Sequence, residues 1–123
     1  MYMLKFGQLK DGVDWDEFNR VSKKYLEYLE KKYPPIKTVV FCRRIEGLGP
    51  YEFVVVLEFP DPAWWHSLHE RLAKDEEYLR LGEEVDKFID YKTYRTMWAF
   101  DVFFGTDKTT PIYGYGYEVP AHE

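Results

Sequence analysis

Cysteine is nearly absent: Cys42 stands alone in 123 residues, which excludes an intrachain disulfide and fits a reducing compartment. Side-chain amides are as scarce. Gln8 and Asn19 face an abundance of Lys and Glu, a balance that leans toward a thermophilic source. No apolar run approaches the ~18 residues that a membrane span needs, and no signal-peptide core is visible, so the chain reads as soluble and cytoplasmic. No stretch is dense in Lys or Arg and the net charge is −5, which argues against a nucleic-acid partner. Aromatics, by contrast, are plentiful. Eleven Tyr, nine Phe and four Trp exceed what a core of this size needs, and such a surplus serves an interface or a pocket.

Residues 2–10 read as a first strand, and Asp11-Gly12 as a turn. Asp14 caps a helix, with Glu17 as the other half of a capping box and Val13 and Phe18 as a hydrophobic staple. Trp15, Phe18, Val21, Ser22, Tyr25, Leu26, Leu29 and Tyr33 form one wide stripe at helical spacing, and Pro34-Pro35 stops it. Residues 38–45 and 51–59 read as the second and third strands, joined across Gly47 and Gly49. Asp61 and Pro62 open a second helical region that runs to about residue 89. Lys74-Asp75 breaks it, because Asp75 is placed to cap a further segment, and Gly82 inside that segment allows close helix–sheet approach. Residues 93–104 read as the fourth strand. One domain therefore spans residues 1–104, of α+β class with a four-stranded antiparallel sheet and two helices on one face. Residues 105–123 form an aromatic tail, where Tyr113, Tyr115 and Tyr117 alternate with glycine and are expected to dock on the sheet edge of a partner subunit.

Side chains alternate across a strand. Phe53, Val55 and Leu57, Tyr94, Thr96 and Trp98, Val39, Phe41 and Arg43, and Leu4 and Phe6 form the set assigned to the helices. The opposite set is also apolar, with Val54, Val56, Met97 and Phe103, but carries Lys5, Arg44, Glu52, Glu58, Arg95 and Asp101. A second apolar face invites a symmetric partner, sheet against sheet. Its charges read either as a structural network at the strand ends or as the polar lining of a cavity.

The order βαββαβ, the two-sided apolar strands and the stretch Trp64-Trp65-His66-Ser67-Leu68-His69 … Lys74-Asp75-Glu76-Glu77-Tyr78 resemble the dimeric α/β-barrel superfamily of ferredoxin-like subunits. Antibiotic-biosynthesis-type monooxygenases, the EthD group and the NIPSNAP group share that layout. The resemblance covers residues 2–104 and singles out no one family. It implies a homodimer, or a larger assembly of dimers, that binds or transforms a small hydrophobic or aromatic molecule in a monooxygenase- or isomerase-like way. The alternatives are a non-catalytic ligand-binding or stress-related dimer, and a haem or metal protein.

Glu58 and Asp101 are the candidate general bases, since burial raises a carboxyl pKa, and Arg44 and Arg95 are candidates to hold a carboxylate or enolate. Lys5, Arg44, Trp65, His66, His69 and Trp98 are the candidate ligand-binding residues. His66 and His69 stand i, i+3 on a helix, a spacing that permits metal or haem ligation but equally suits two ordinary surface histidines. Trp65 and Trp98 equally suit the core. No bound organic cofactor is expected.

Overall fold

A computed structural model describes residues 1–43 and 51–99. The elements run β1 (Tyr2–Leu9), α1 (Trp15–Lys32), β2 (Lys37–Arg43), β3 (Phe53–Glu58), α2 (Pro62–Leu72), α3 (Glu76–Asp86) and β4 (Ile89–Ala99). The strands form one antiparallel sheet in the order β2-β3-β1-β4, with the three helices against one face. Residues 44–50, Arg44 among them, and residues 100–123, with Asp101 and the Tyr-Gly tail, lie outside the described residues.

Caps decide where each helix begins. Asp14 accepts from the Asp16 amide, Asp61 from the Trp64 amide at 2.7 Å, and Asp75 from the Tyr78 amide at 3.1 Å, each satisfying an orphan N–H of the first turn. The reciprocal half of the expected capping box does not form, because Glu17 turns instead to Arg20 one turn along. The second helical region ends at Asp86, not at residue 89. Ile89 is drawn into the sheet opposite Leu9, and the Lys10 amide donates to the Phe88 carbonyl at 2.8 Å, so the chain must turn at Lys87 and Phe88.

The phase of β1 is opposite to the expected one. Met3, Lys5 and Gly7 pair with Leu57, Val55 and Phe53, so they face the helices, while Leu4 and Phe6 lie on the outer face with Val56 and Val54. Tyr2–Leu9 is apolar on both parities, so alternation alone does not choose between them. Gly7 is the residue that allows this phase at the sheet centre: a Cβ there would stand 3.2 Å from the Tyr94 Cα, where β4 bulges against β1. A second bulge, between Thr38 and Val40, leaves Val39 exposed rather than on the helix side. Arg43 does lie on that side, and its guanidinium covers the Trp15 ring at 5.1 Å.

The core is split into two clusters. One gathers Met3, Leu26, Leu29, Tyr33, Leu57, Phe59, Leu68 and Leu72, and the other Leu9, Phe18, Phe53 and Ile89. Trp64 packs on the first cluster beside Phe59, so it is not a free surface aromatic.

Asp75 ties the helices together. It is 7% exposed and accepts from the Tyr28 hydroxyl at 2.7 Å, the Tyr33 hydroxyl at 2.7 Å and the Lys32 ammonium at 2.9 Å. Burial alone would raise its pKa, but the hydrogen bonds from Lys32, Tyr33 and Tyr28 outweigh that and hold the carboxyl well below the usual range. Asp75→Asn is therefore expected to lose on the order of 2–3 kcal/mol in urea unfolding at neutral pH. A depressed folded-state pKa stabilises above the unfolded value of about 3.9 and stops doing so as pH falls. The gap between wild type and variant should thus be full above about pH 4 and narrow below it. A gap unchanged into strong acid would show that the Asp75 charge is not what matters.

Candidate functional site

A cavity of about 290 Å³ opens between the sheet and helices α1 and α3, at the seam between the two core clusters. Its floor is Lys5 at the middle of β1 with Val55 beside it on β3, and its walls are Ser22, Tyr25 and Leu26 of α1 and Tyr78, Gly82 and Asp86 of α3. A Cβ at Gly82 would meet the Tyr25 ring at 3.8 Å, an ordinary contact. Gly82 is thus not forced by close helix–sheet approach, and its missing side chain is open volume on the wall. A second cavity, about 440 Å³, lies toward the other end of the sheet and is walled by Trp65, His69, Leu72, Thr96 and Trp98. Lys5, Tyr78, Leu79 and Tyr94 line both and form the partition.

The polar groups of the first cavity are few and specific. The Tyr25 hydroxyl donates to the Tyr78 hydroxyl at 3.2 Å. Ser22 Oγ is buried with no hydrogen-bond partner among the described residues. The Tyr91 hydroxyl donates to Asp86 at the rim. Among the described residues Lys5 has no hydrogen bond or ion pair. Burial lowers its pKa from the ordinary lysine value, and attraction to Asp86 offsets this only in part. Burial pushes the Tyr25 hydroxyl well above its ordinary value, aided by Tyr78, and burial likewise raises Tyr94. The hydroxyls therefore stay protonated donors, and Lys5 is the group whose charge the site holds least firmly.

The residues singled out by sequence fall into three places. Lys5 leaves the outer face for the helix side, because the phase of β1 is reversed. Trp65, His69 and Trp98 converge on the second cavity, with the Trp65 ring 5.2 Å from Trp98 and 5.8 Å from His69. His66 is exposed and lines neither cavity. Glu58 lies at the outer end of β3 opposite Tyr2 and Lys37, while Arg95 is exposed on β4 and donates to the Tyr94 carbonyl at 2.8 Å. The two do not meet, and neither shares a wall with Lys5. Glu52, from the same expected charge network, accepts instead from the Leu9 amide at 3.3 Å. Cys42 is exposed on the outer face. The residues missed by sequence are Ser22, Tyr25, Tyr78 and Asp86. Their one visible signal was a serine inside an otherwise apolar helical stripe.

As a metal site the histidine pair does not fit. A site of this kind needs three protein donors or more. Among the described residues no group of three His, Cys, Asp or Glu side chains stands close enough together to hold an ion.

No protein-family model matches the chain, and no curated protein matches it. Solved structures do. An uncharacterised NIPSNAP domain protein from Burkholderia xenovorans superposes with a TM-score of 0.66 at 13% identity, over 86% of this chain and 98% of that one. A dimeric ferredoxin-like protein of unknown function from Thermobifida fusca gives 0.57 at 17% identity, over 80% and 89% of the two chains. An antibiotic biosynthesis monooxygenase gives 0.50 at 19% identity, over 81% and 98%. At such identities the likeness establishes the ferredoxin-like α+β fold and nothing finer.

Proposed function

We propose that this chain is a small-molecule-binding protein whose ligand, apolar or aromatic in body, occupies the cavity between the sheet and helices α1 and α3. The observation that carries this reading is a hole at the seam of the core where a domain of this size would ordinarily be packed solid. Its volume is near the lower end of the roughly 300–1,000 Å³ usual for ligand pockets. Its lining follows the same pattern, mostly apolar with a few polar groups at Lys5, Tyr25 and Tyr78. Aromatic walls favour a planar ligand.

The second element is a homodimer through the outer sheet face. Leu4, Phe6, Val40, Val54, Val56 and Met97 share that face, and Met97 is 54% exposed. Glu58 and Arg95 are charged side chains on it that can pair across a two-fold axis. The Thermobifida fusca neighbour of this fold is dimeric, which supports a dimer here.

Two measurements test these statements. Titration with 2-naphthol, followed by its fluorescence, is expected to saturate at one site per chain. Gly82→Leu, which fills the wall, should weaken that binding by ~tenfold or more. Undiminished binding to the variant would refute the cavity assignment. Product analysis of the same mixtures separates a binder, which returns the probe intact, from an enzyme. Sedimentation at micromolar concentration is expected to give twice the chain mass, and Val56→Asp to give the monomer. A monomeric wild type would refute the sheet-to-sheet dimer.

A further inference from the structure

We propose that Lys5 is a reactive amine, and that the ligand class of the cavity is a small apolar aldehyde or ketone whose carbonyl carbon condenses with Lys5 Nζ. The proposal rests on the cavity reading above and deepens it.

Lys5 lines both cavities, on the partition between them. A ligand entering from either side meets the same amine. Its sheet neighbours at that level, Val55 and Thr96, offer it no charge. No described residue engages the amine in a hydrogen bond or ion pair, so its lone pair is not committed to the fold once the proton is gone. The same cavity is lined by hydroxyls with capacity to spare: the Tyr25–Tyr78 pair leaves one hydroxyl hydrogen to donate onward. These are the donors that a carbonyl oxygen needs as negative charge gathers on it.

The charged and titratable groups around Lys5 favour a neutral ligand over an anion. Asp86 and Glu83 face the first cavity from α3, Tyr25 from α1 and Tyr94 from β4, while His69 faces the second from α2. A carboxylate ligand would meet two carboxylates on the same wall, whereas a carbonyl compound carries no charge to repel. Burial also favours the neutral amine of Lys5 over its ammonium, more than Asp86 favours the ammonium.

The step balances without a further reagent. The Nζ lone pair attacks the carbonyl carbon, and the C=O π pair moves to oxygen. A proton passes from nitrogen to that oxygen, giving a carbinolamine. The C–O bond then breaks, the oxygen leaves as water with a second proton, and a C=N bond forms. One water is released per imine, and nothing is oxidised or reduced.

The test uses the full chain with cinnamaldehyde as the probe and sodium cyanoborohydride as trap, read by intact mass and peptide mapping. Lys5 is expected to be alkylated ~tenfold faster than the exposed Lys10, Lys23, Lys24 and Lys31, because the cavity holds the carbonyl against its amine and burial favours the neutral form. Cinnamyl alcohol, which has the same body without the carbonyl, is expected to protect Lys5. Lys5→Arg should lose the fast adduct, with near-UV circular dichroism as the check on folding. Alkylation of Lys5 no faster than the exposed lysines would overturn the proposal in the wild-type chain alone. Fast alkylation that the alcohol does not slow would overturn it as well, by placing the reaction outside a ligand cavity. If the alcohol binds and Gly82→Leu displaces it while Lys5 stays slow, the cavity reading stands and only the imine falls.

Discussion

The carboxylate of Asp75 is the contact on which the arrangement of the helices depends. One side chain accepts hydrogen bonds from Tyr28 and Tyr33 of the first helix and its exit, an ion pair from Lys32, and the Tyr78 amide of the third helix. It therefore does two jobs at once. It caps α3, and it clamps that cap to the end of α1. Because Tyr78 begins the wall of the cavity only three residues later, the clamp also sets where the cavity lies. The break between α2 and α3 follows from the same residue: a helix cannot run on through a side chain that must turn back to cap its successor.

The cost of the cavity is visible in the core. Two clusters pack well on either side of it, one around Leu57 and Leu68 and the other around Phe18 and Phe53. Between them the chain keeps a lysine, an unpartnered serine and a glycine on a helix, each of which a sequence selected for stability alone would replace. A half-buried amine without a partner costs free energy, and so does a helical glycine, by about 1 kcal/mol. Three such departures around one space, inside a fold that is elsewhere well capped and well packed, is the pattern expected of a functional site. The outer face departs from the rule in another way, with apolar side chains where a solvated sheet would carry polar ones, and this is the departure that the proposed sheet-to-sheet pairing answers.

Much of this was legible in the residues. Asp14, Asp61 and Asp75 announce three helix starts, Pro34-Pro35 announces a stop, and the strand order follows from the ferredoxin-like layout. Trp65, His69 and Trp98 were singled out together and stand on one cavity wall. The misplaced residues share a cause. β1 is apolar on both parities, so its alternation carried no phase, and Lys5 was assigned to the wrong side. Val39 failed because a bulge changes the phase of β2 part-way along, and no local residue type announces it. Lys5 left the expected charged set for the same reason, while Glu58 and Arg95 lie on the outer face as expected and Arg44 and Asp101 lie outside the described residues.

The sequence alone determined where helices start, where the first one stops and that two sheet faces would be apolar, because caps, prolines and periodicity act within a few residues of chain. Only the tertiary structure decided which side of the sheet Lys5 occupies. Strand phase is set by pairing with β3, fifty residues away, and by the close approach of β4 that Gly7 permits. The grouping of Lys5 with Ser22, Tyr25 and Tyr78 around one cavity has the same origin. It arises from helix position over the sheet, which is fixed by packing and by the Asp75 clamp rather than by any local pattern.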